Sequence, residues 1–74
     1  MNYTLTATAG GWTVQIDPIA KYGYCEHETM GEGGGLWFDA RKSLQDFDGF
    51  GCLPKNVAKA IRALGYHVSP DCLA

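Results

Sequence analysis

From Tyr3 to Thr8 the chain alternates apolar with polar β-branched residues, Tyr3-Thr4-Leu5-Thr6-Ala7-Thr8, the period of a strand with one buried face. Tyr3, Leu5 and Ala7 are expected to point inward. Trp12, Val14 and Ile16 resume the alternation after Gly10-Gly11, two residues that accept the positive φ of a tight hairpin turn. Asp17-Pro18 closes this second strand, because proline has no N–H to donate and restricts the residue before it. Tyr22 to Glu28 predicts a third strand, with Tyr22, Tyr24 and Glu26 on one face and Gly23, Cys25 and His27 on the other. The pattern does not choose which of these faces is inside.

Met30 to Gly35 holds four glycines in six residues, which predicts a flexible loop, since ordering so many glycines costs backbone entropy. Leu36-Trp37-Phe38 follows as a short fourth strand. Asp39 to Gly51 reads as a connection with two apolar anchors, Leu44 and Phe47, and a turn at Asp48-Gly49. Leu53-Pro54 opens the one clear helix, proline being suited to the first helical position. Val57, Ile61 and Leu64, spaced by four and three with Ala58 and Ala60 beside them, form its apolar stripe, and Gly65 is its expected stop. Tyr66-His67-Val68 can add a last strand. The expected fold is α+β, an antiparallel sheet of four or five strands with one α-helix packed on one face, residues 1–74 making a single domain.

Length and composition narrow the function. A chain of 74 residues buries only about 60% of the surface its unfolded form exposes, so a deep, walled active site is hard to build. No apolar run reaches the ~18 residues of a membrane span, and Met1-Asn2-Tyr3-Thr4 lacks the basic stretch and apolar core of a signal peptide. Cys25, Cys52 and Cys72 form an odd set without paired spacing, which fits a reducing compartment. A soluble, intracellular protein is expected. With net charge −2 the chain lacks the positive charge that carries non-specific nucleic-acid affinity, and its expected charged partner is basic.

Candidate chemistry is thin. Cys25, His27, Cys52, His67 and Cys72 are zinc-ligand types, but no Cys-x-x-Cys knuckle joins them; no metal and no cofactor are expected. Cys25 with His27 or His67 forms a nucleophile-and-base pair in residue type only, without a motif for an oxyanion hole, so no enzyme and no catalytic residues are expected. Gly31-Glu32-Gly33-Gly34-Gly35 lacks the Lys-Ser/Thr ending of a phosphate loop, and Asp46-Phe47-Asp48-Gly49 holds only part of a calcium-loop pattern, a capped turn being its default reading.

Charge placement says more. Between Glu26 and Asp48 stand six acidic residues, Glu26, Glu28, Glu32, Asp39, Asp46 and Asp48, against Arg41 and Lys42. The same region holds Tyr22, Tyr24, Trp37, Phe38, Phe47 and Phe50, more rings than a small sheet buries. Exposed aromatics rimmed by carboxylates suit a protein-binding surface, the rings anchoring and the charge steering a basic partner. The competing reading fills a small core with the same rings. Conversely, Lys55, Lys59 and Arg62 lie at i, i+4 and i+7 on the helix, either a solvated face or, in an alternative reading, the contact of a small nucleic-acid-binding regulator.

The hairpin around Gly10-Gly11-Trp12, the segment Gly35-Leu36-Trp37-Phe38, and the stretch Leu44-Gln45-Asp46-Phe47-Asp48-Gly49 running into Leu53-Pro54-Lys55-Asn56-Val57 prompt a comparison. The chain resembles the very small, acidic, Gly-rich proteins that phages encode, and is similar in particular to anti-CRISPR proteins, which are often a lone β-sheet with one or two helices. The resemblance implies stoichiometric binding to a CRISPR-Cas effector complex in the host cell cytoplasm, blocking target DNA recognition or nuclease recruitment without catalysis. Effector DNA channels are lined with Lys and Arg. The expected partner-binding residues are Glu26, Glu28, Glu32, Trp37, Asp39, Asp46 and Asp48.

Overall fold

A computed structural model describes residues 5–31 and 33–69. Five strands, β1 (Leu5–Ala9), β2 (Trp12–Asp17), β3 (Tyr22–His27), β4 (Gly33–Phe38) and β5 (Leu44–Phe47), precede one helix, α1 (Lys55–Ala63). The strands form one sheet in the order β1-β2-β3-β4-β5, each antiparallel to its neighbour. The protein is therefore an α+β fold with a five-stranded antiparallel sheet and one helix.

The first hairpin forms as its sequence predicts. Gly10 and Gly11 both have positive φ, 55° and 85°, the backbone of a type I′ turn, whose twist matches that of the flanking strands. Ala9 thereby pairs with Trp12 and Leu5 with Ile16. Leu5 and Ala7 lean inward, half-buried, while Thr6 and Thr8 are exposed; Tyr3 lies outside the described residues. Trp12, Val14 and Ile16 are all buried. In β3 it is Gly23 and Cys25 that face the core, and Tyr22, Tyr24 and Glu26 that face away.

Three expectations are corrected. Gly33-Gly34-Gly35 is not loop but the first half of β4, paired with Glu26, Cys25 and Tyr24. A side chain is excluded there by close neighbours: a Cβ on Gly34 would run into the carbonyl oxygen of Asp48. The segment after Phe38 is not only a connection, since Leu44–Phe47 pairs with β4 as the fifth strand. A register shift between Trp37 and Phe38 turns both Leu44 and Phe47 toward the core although they are three apart, a spacing that simple alternation would split between faces. Finally, Tyr66-His67-Val68 adds no strand. His67 makes one parallel bridge with Ser43, donating its N–H to Lys42 and accepting from Leu44, each at 2.8 Å.

The helix lies against β1 and β2. Pro54 stands at the N-cap, one residue earlier than expected, and offers no side-chain cap; its carbonyl accepts the N–H of Ala58. At the other end Gly65 has φ 88°, with its N–H on Arg62 and the N–H of Tyr66 on Ile61. This is a Schellman closure, which left-handed glycine permits. Val57, Ala58, Ala60 and Ile61 are buried against Trp12, Val14 and Ile16 in one core. Complete burial of Ile61 and Val57 stabilises the fold by about 1.5–3 kcal/mol for each side chain.

Candidate functional site: the open face of the sheet

With α1 on one side, the other face of the sheet is uncovered among the described residues. Its rows follow from the strand register. Across the middle run Thr6, Gln15, Tyr24 and Gly35; toward the β4–β5 turn run Asp17, Tyr22, Trp37 and Asp46; toward the first hairpin run Thr8, Thr13, Glu26 and Gly33.

Three rings stand on this face. Tyr22 and Trp37 are cross-strand partners and meet edge to face, centroids 5.3 Å apart at 62°, a geometry favoured by the ring quadrupoles. A Cβ on Gly35 would come within 2.9 Å of both Trp37 Cη2 and Tyr22 Oη, and one on Gly33 within 3.1 Å of Tyr24 Oη. The tyrosines and the tryptophan thus lie across the glycines of β4, which have no side chain to hold them off. Trp37 and Tyr24 each remain 38% exposed. The other aromatics of this region turn inward: Phe38 is buried against Tyr66, centroids 4.7 Å apart, and Phe50 stacks near Trp12 and Phe47.

The carboxylates divide by task. Glu26 and Asp46 are exposed on the open face, Asp46 directly across from Trp37. Asp46 Oδ1 accepts the N–H of Phe47 at 2.8 Å. Asp48 instead takes the N–H of Gly35 on its Oδ1 at 2.6 Å, replacing a backbone carbonyl where β5 leaves the sheet. Asp39, beyond the end of β4, caps the turn to β5, its Oδ1 accepting from Arg41 at 2.8 Å and Ser43 at 3.0 Å. These backbone donors, with the Arg41 charge, hold its carboxyl below the ordinary range. Glu28 follows β3 beside the first hairpin, its N–H on Gly11. Glu32 lies outside the described residues. Of the expected site residues, the open face therefore brings together Glu26, Trp37 and Asp46, and it adds Tyr22 and Tyr24, which alternation across β3 signals once Gly23 and Cys25 are placed inside.

The remaining chemistry-bearing residues are dispersed. Cys25 is buried, its thiol donating to the Gly34 carbonyl at 3.6 Å, and burial pushes its pKa up to about 11, which keeps it protonated and unreactive. His27 sets its ring edge-on to Trp12, and its Nδ1 accepts the N–H groups of Thr29 and Met30, both at 3.2 Å, which places any neutral-ring proton on Nε2. Cys52 is exposed, and Cys72 lies outside the described residues. Among the described residues no group of three or more His, Cys, Asp or Glu is placed to hold a metal ion, no pocket is present, and no helix is long and apolar enough to cross a membrane. On the helix, Lys55 and Lys59 are exposed, whereas the Arg62 guanidinium donates to the Val68 carbonyl at 2.8 Å and is engaged in holding the C-terminal segment.

No family model, no curated protein and no solved structure matches the chain. The fold and its open face thus describe a small α+β domain with an aromatic surface flanked by acids.

Proposed function

We propose that the protein acts by stoichiometric binding to a protein surface rich in Lys and Arg, and that it binds with the open face around Trp37. The observation that carries this reading is exposed Trp37, set edge to face against half-buried Tyr22, with Asp46 across from it and no covering element among the described residues. Large rings held in place by their neighbours lose little freedom on docking, and such rings dominate interface energies. Carboxylates at the margin steer a basic partner and set its orientation.

The proposed partner is a host CRISPR-Cas effector subunit at a basic DNA-binding surface, the class implied by the resemblance to small phage anti-CRISPR proteins. Occupying that surface would block target DNA recognition or nuclease recruitment. Net charge −2 favours a steric block, with acids orienting the complex, over mimicry of a phosphate backbone. The test is capture of tagged protein from host lysate with and without an effector complex, followed by target-DNA binding by the captured complex. Loss of DNA binding that is reversed by W37A supports the reading; undiminished DNA binding by the captured complex refutes it.

A further inference from the structure

The hydrogen-bond parity of the sheet has a consequence at its β1 edge. The N–H of Glu28 bonds the carbonyl of Gly11 at 3.0 Å, so the odd-numbered positions of β2 bond toward β3 and the even-numbered ones toward β1. Trp12, Val14 and Ile16 therefore engage Ala9, Ala7 and Leu5, their register partners. The backbone N–H and C=O groups of Thr6 and Thr8 consequently point out of the sheet, along its edge. Nothing among the described residues pairs with them.

Among the described residues this edge carries no protection of its own. Leu5–Ala9 has no charge, no proline and no bulge, the features by which natural edge strands resist further pairing. The opposite edge differs: β5 is bulged, carries Asp46, and is adjoined by the His67 bridge.

We infer that β1 is a self-association edge, pairing antiparallel with β1 of a second copy about a two-fold axis at Ala7, so that Thr6 faces the partner's Thr8. The segment Thr6-Ala7-Thr8 reads the same in both directions, so this register matches every outward donor of one strand to an acceptor of the other. Threonine meets threonine on the open face, a favourable cross-strand pair. On the helix side Leu5, Ala7 and Ala9, only half-buried in the single chain, gain apolar neighbours. Because α1 lies over β1 and β2, the two helices would run side by side at about 10 Å, twice the strand spacing and within the range of ordinary helix packing. Lys55 and Lys59 stand on the side of α1 away from buried Val57 and Ile61, clear of that contact. The two-fold axis, normal to the sheet, presents both Tyr22–Trp37 patches on one continuous face, roughly 30 Å apart by strand spacing. This inference is independent of the partner proposed above.

Sedimentation equilibrium of the full chain over a concentration series, with amide exchange followed by NMR, tests it. The expected result is reversible conversion from 8.0 kDa to twice that mass, with Thr6 and Thr8 amides exchanging at least ~10-fold more slowly in the dimer. Thr8→Pro should abolish the dimer while preserving the fold, since that N–H serves no bond within the sheet and edge proline is tolerated. Should T8P fail to fold, T6K/T8K, which places lysines opposite each other across the axis, gives the same reading. A chain that stays monomeric with freely exchanging Thr6 and Thr8 amides, or a dimer that survives these substitutions, overturns the inference.

Discussion

Asp48 Oδ1 accepts the N–H of Gly35 at 2.6 Å, and this bond joins the end of β5 to the strand whose glycines lie beneath the exposed rings. A residue expected to meet a partner thus also completes the ladder. The surface of the open face and the backbone that supports it are thus separable by mutation.

Glu26 and Asp46 are the acids to test on that face. Reversing both to Lys should weaken binding to a basic partner and flatten its salt dependence, leaving thermal stability within about 0.5 kcal/mol, as for surface changes generally. Asp48→Lys should by contrast lower stability whatever it does to binding, because it leaves the Gly35 N–H without its acceptor. Calorimetric titration at two salt concentrations, with urea unfolding of each variant, separates the effects.

Gly34 and Gly35 should respond differently to alanine. At Gly34 the new Cβ meets the Asp48 backbone carbonyl; at Gly35 it meets the far ends of the Trp37 and Tyr22 side chains. We expect G34A to cost about 2–4 kcal/mol and G35A about 1 kcal/mol, the latter with a displaced Trp37 ring. Urea denaturation and the Trp37 indole resonance report the two outcomes.

Those glycines also explain what the sequence conceals. The first hairpin and α1 were legible because Gly10-Gly11, the Trp12-Val14-Ile16 alternation and the Val57-Ile61-Leu64 stripe each agree with one local geometry. Gly33–Gly35 was not, because glycine has no strand propensity of its own; its place is dictated by the neighbours that fill the space of the missing Cβ, information held in Asp48, Tyr22, Tyr24 and Trp37. β5 was hidden by the bulge, which puts Leu44 and Phe47 on one face at a spacing that belongs to neither a regular strand nor a helix turn. Of the site, exposed rings near acids were legible. That Asp39 and Asp48 serve backbone N–H groups followed only from the turns they close, and the pairing of Tyr22 with Trp37 from a register that no single strand encodes.

Cys25 should leave a signature in alkali. Burial pushes its folded pKa up to about 11, above the ordinary thiol value of 9.0, so the folded chain retains a proton that the unfolded chain releases. The stability this represents is present below pH 9 and declines as pH rises toward 11, with a slope of at most about 1.4 kcal/mol per pH unit. Cys25→Ala should reduce that decline. In the native protein at pH 8 a thiol reagent should label exposed Cys52 and spare Cys25, as peptide mass mapping would show.

Asp39 acts at the other end of the scale. Because its folded pKa is depressed, its contribution is present above the unfolded value and is lost as pH falls through the folded one. D39N should remove this acid-side dependence, and D39A should in addition loosen the 39–43 turn, seen as faster exchange of the Arg41 and Ser43 amides.

The basic helix face offers a control for the binding claim. K55A/K59A should leave both stability and partner binding unchanged, whereas R62A should free the Val68 carbonyl and loosen the segment after α1. Binding lost in K55A/K59A and retained in W37A would move the interface from the sheet to the helix.

The most direct test is the effector's affinity for target DNA in the presence of wild-type protein and of folded W37A. The account predicts that wild type abolishes DNA binding at one-to-one stoichiometry and that W37A requires at least ~10-fold more protein, the scale of a central aromatic anchor. Equal inhibition by both, or binding of wild type to the DNA itself, would contradict it.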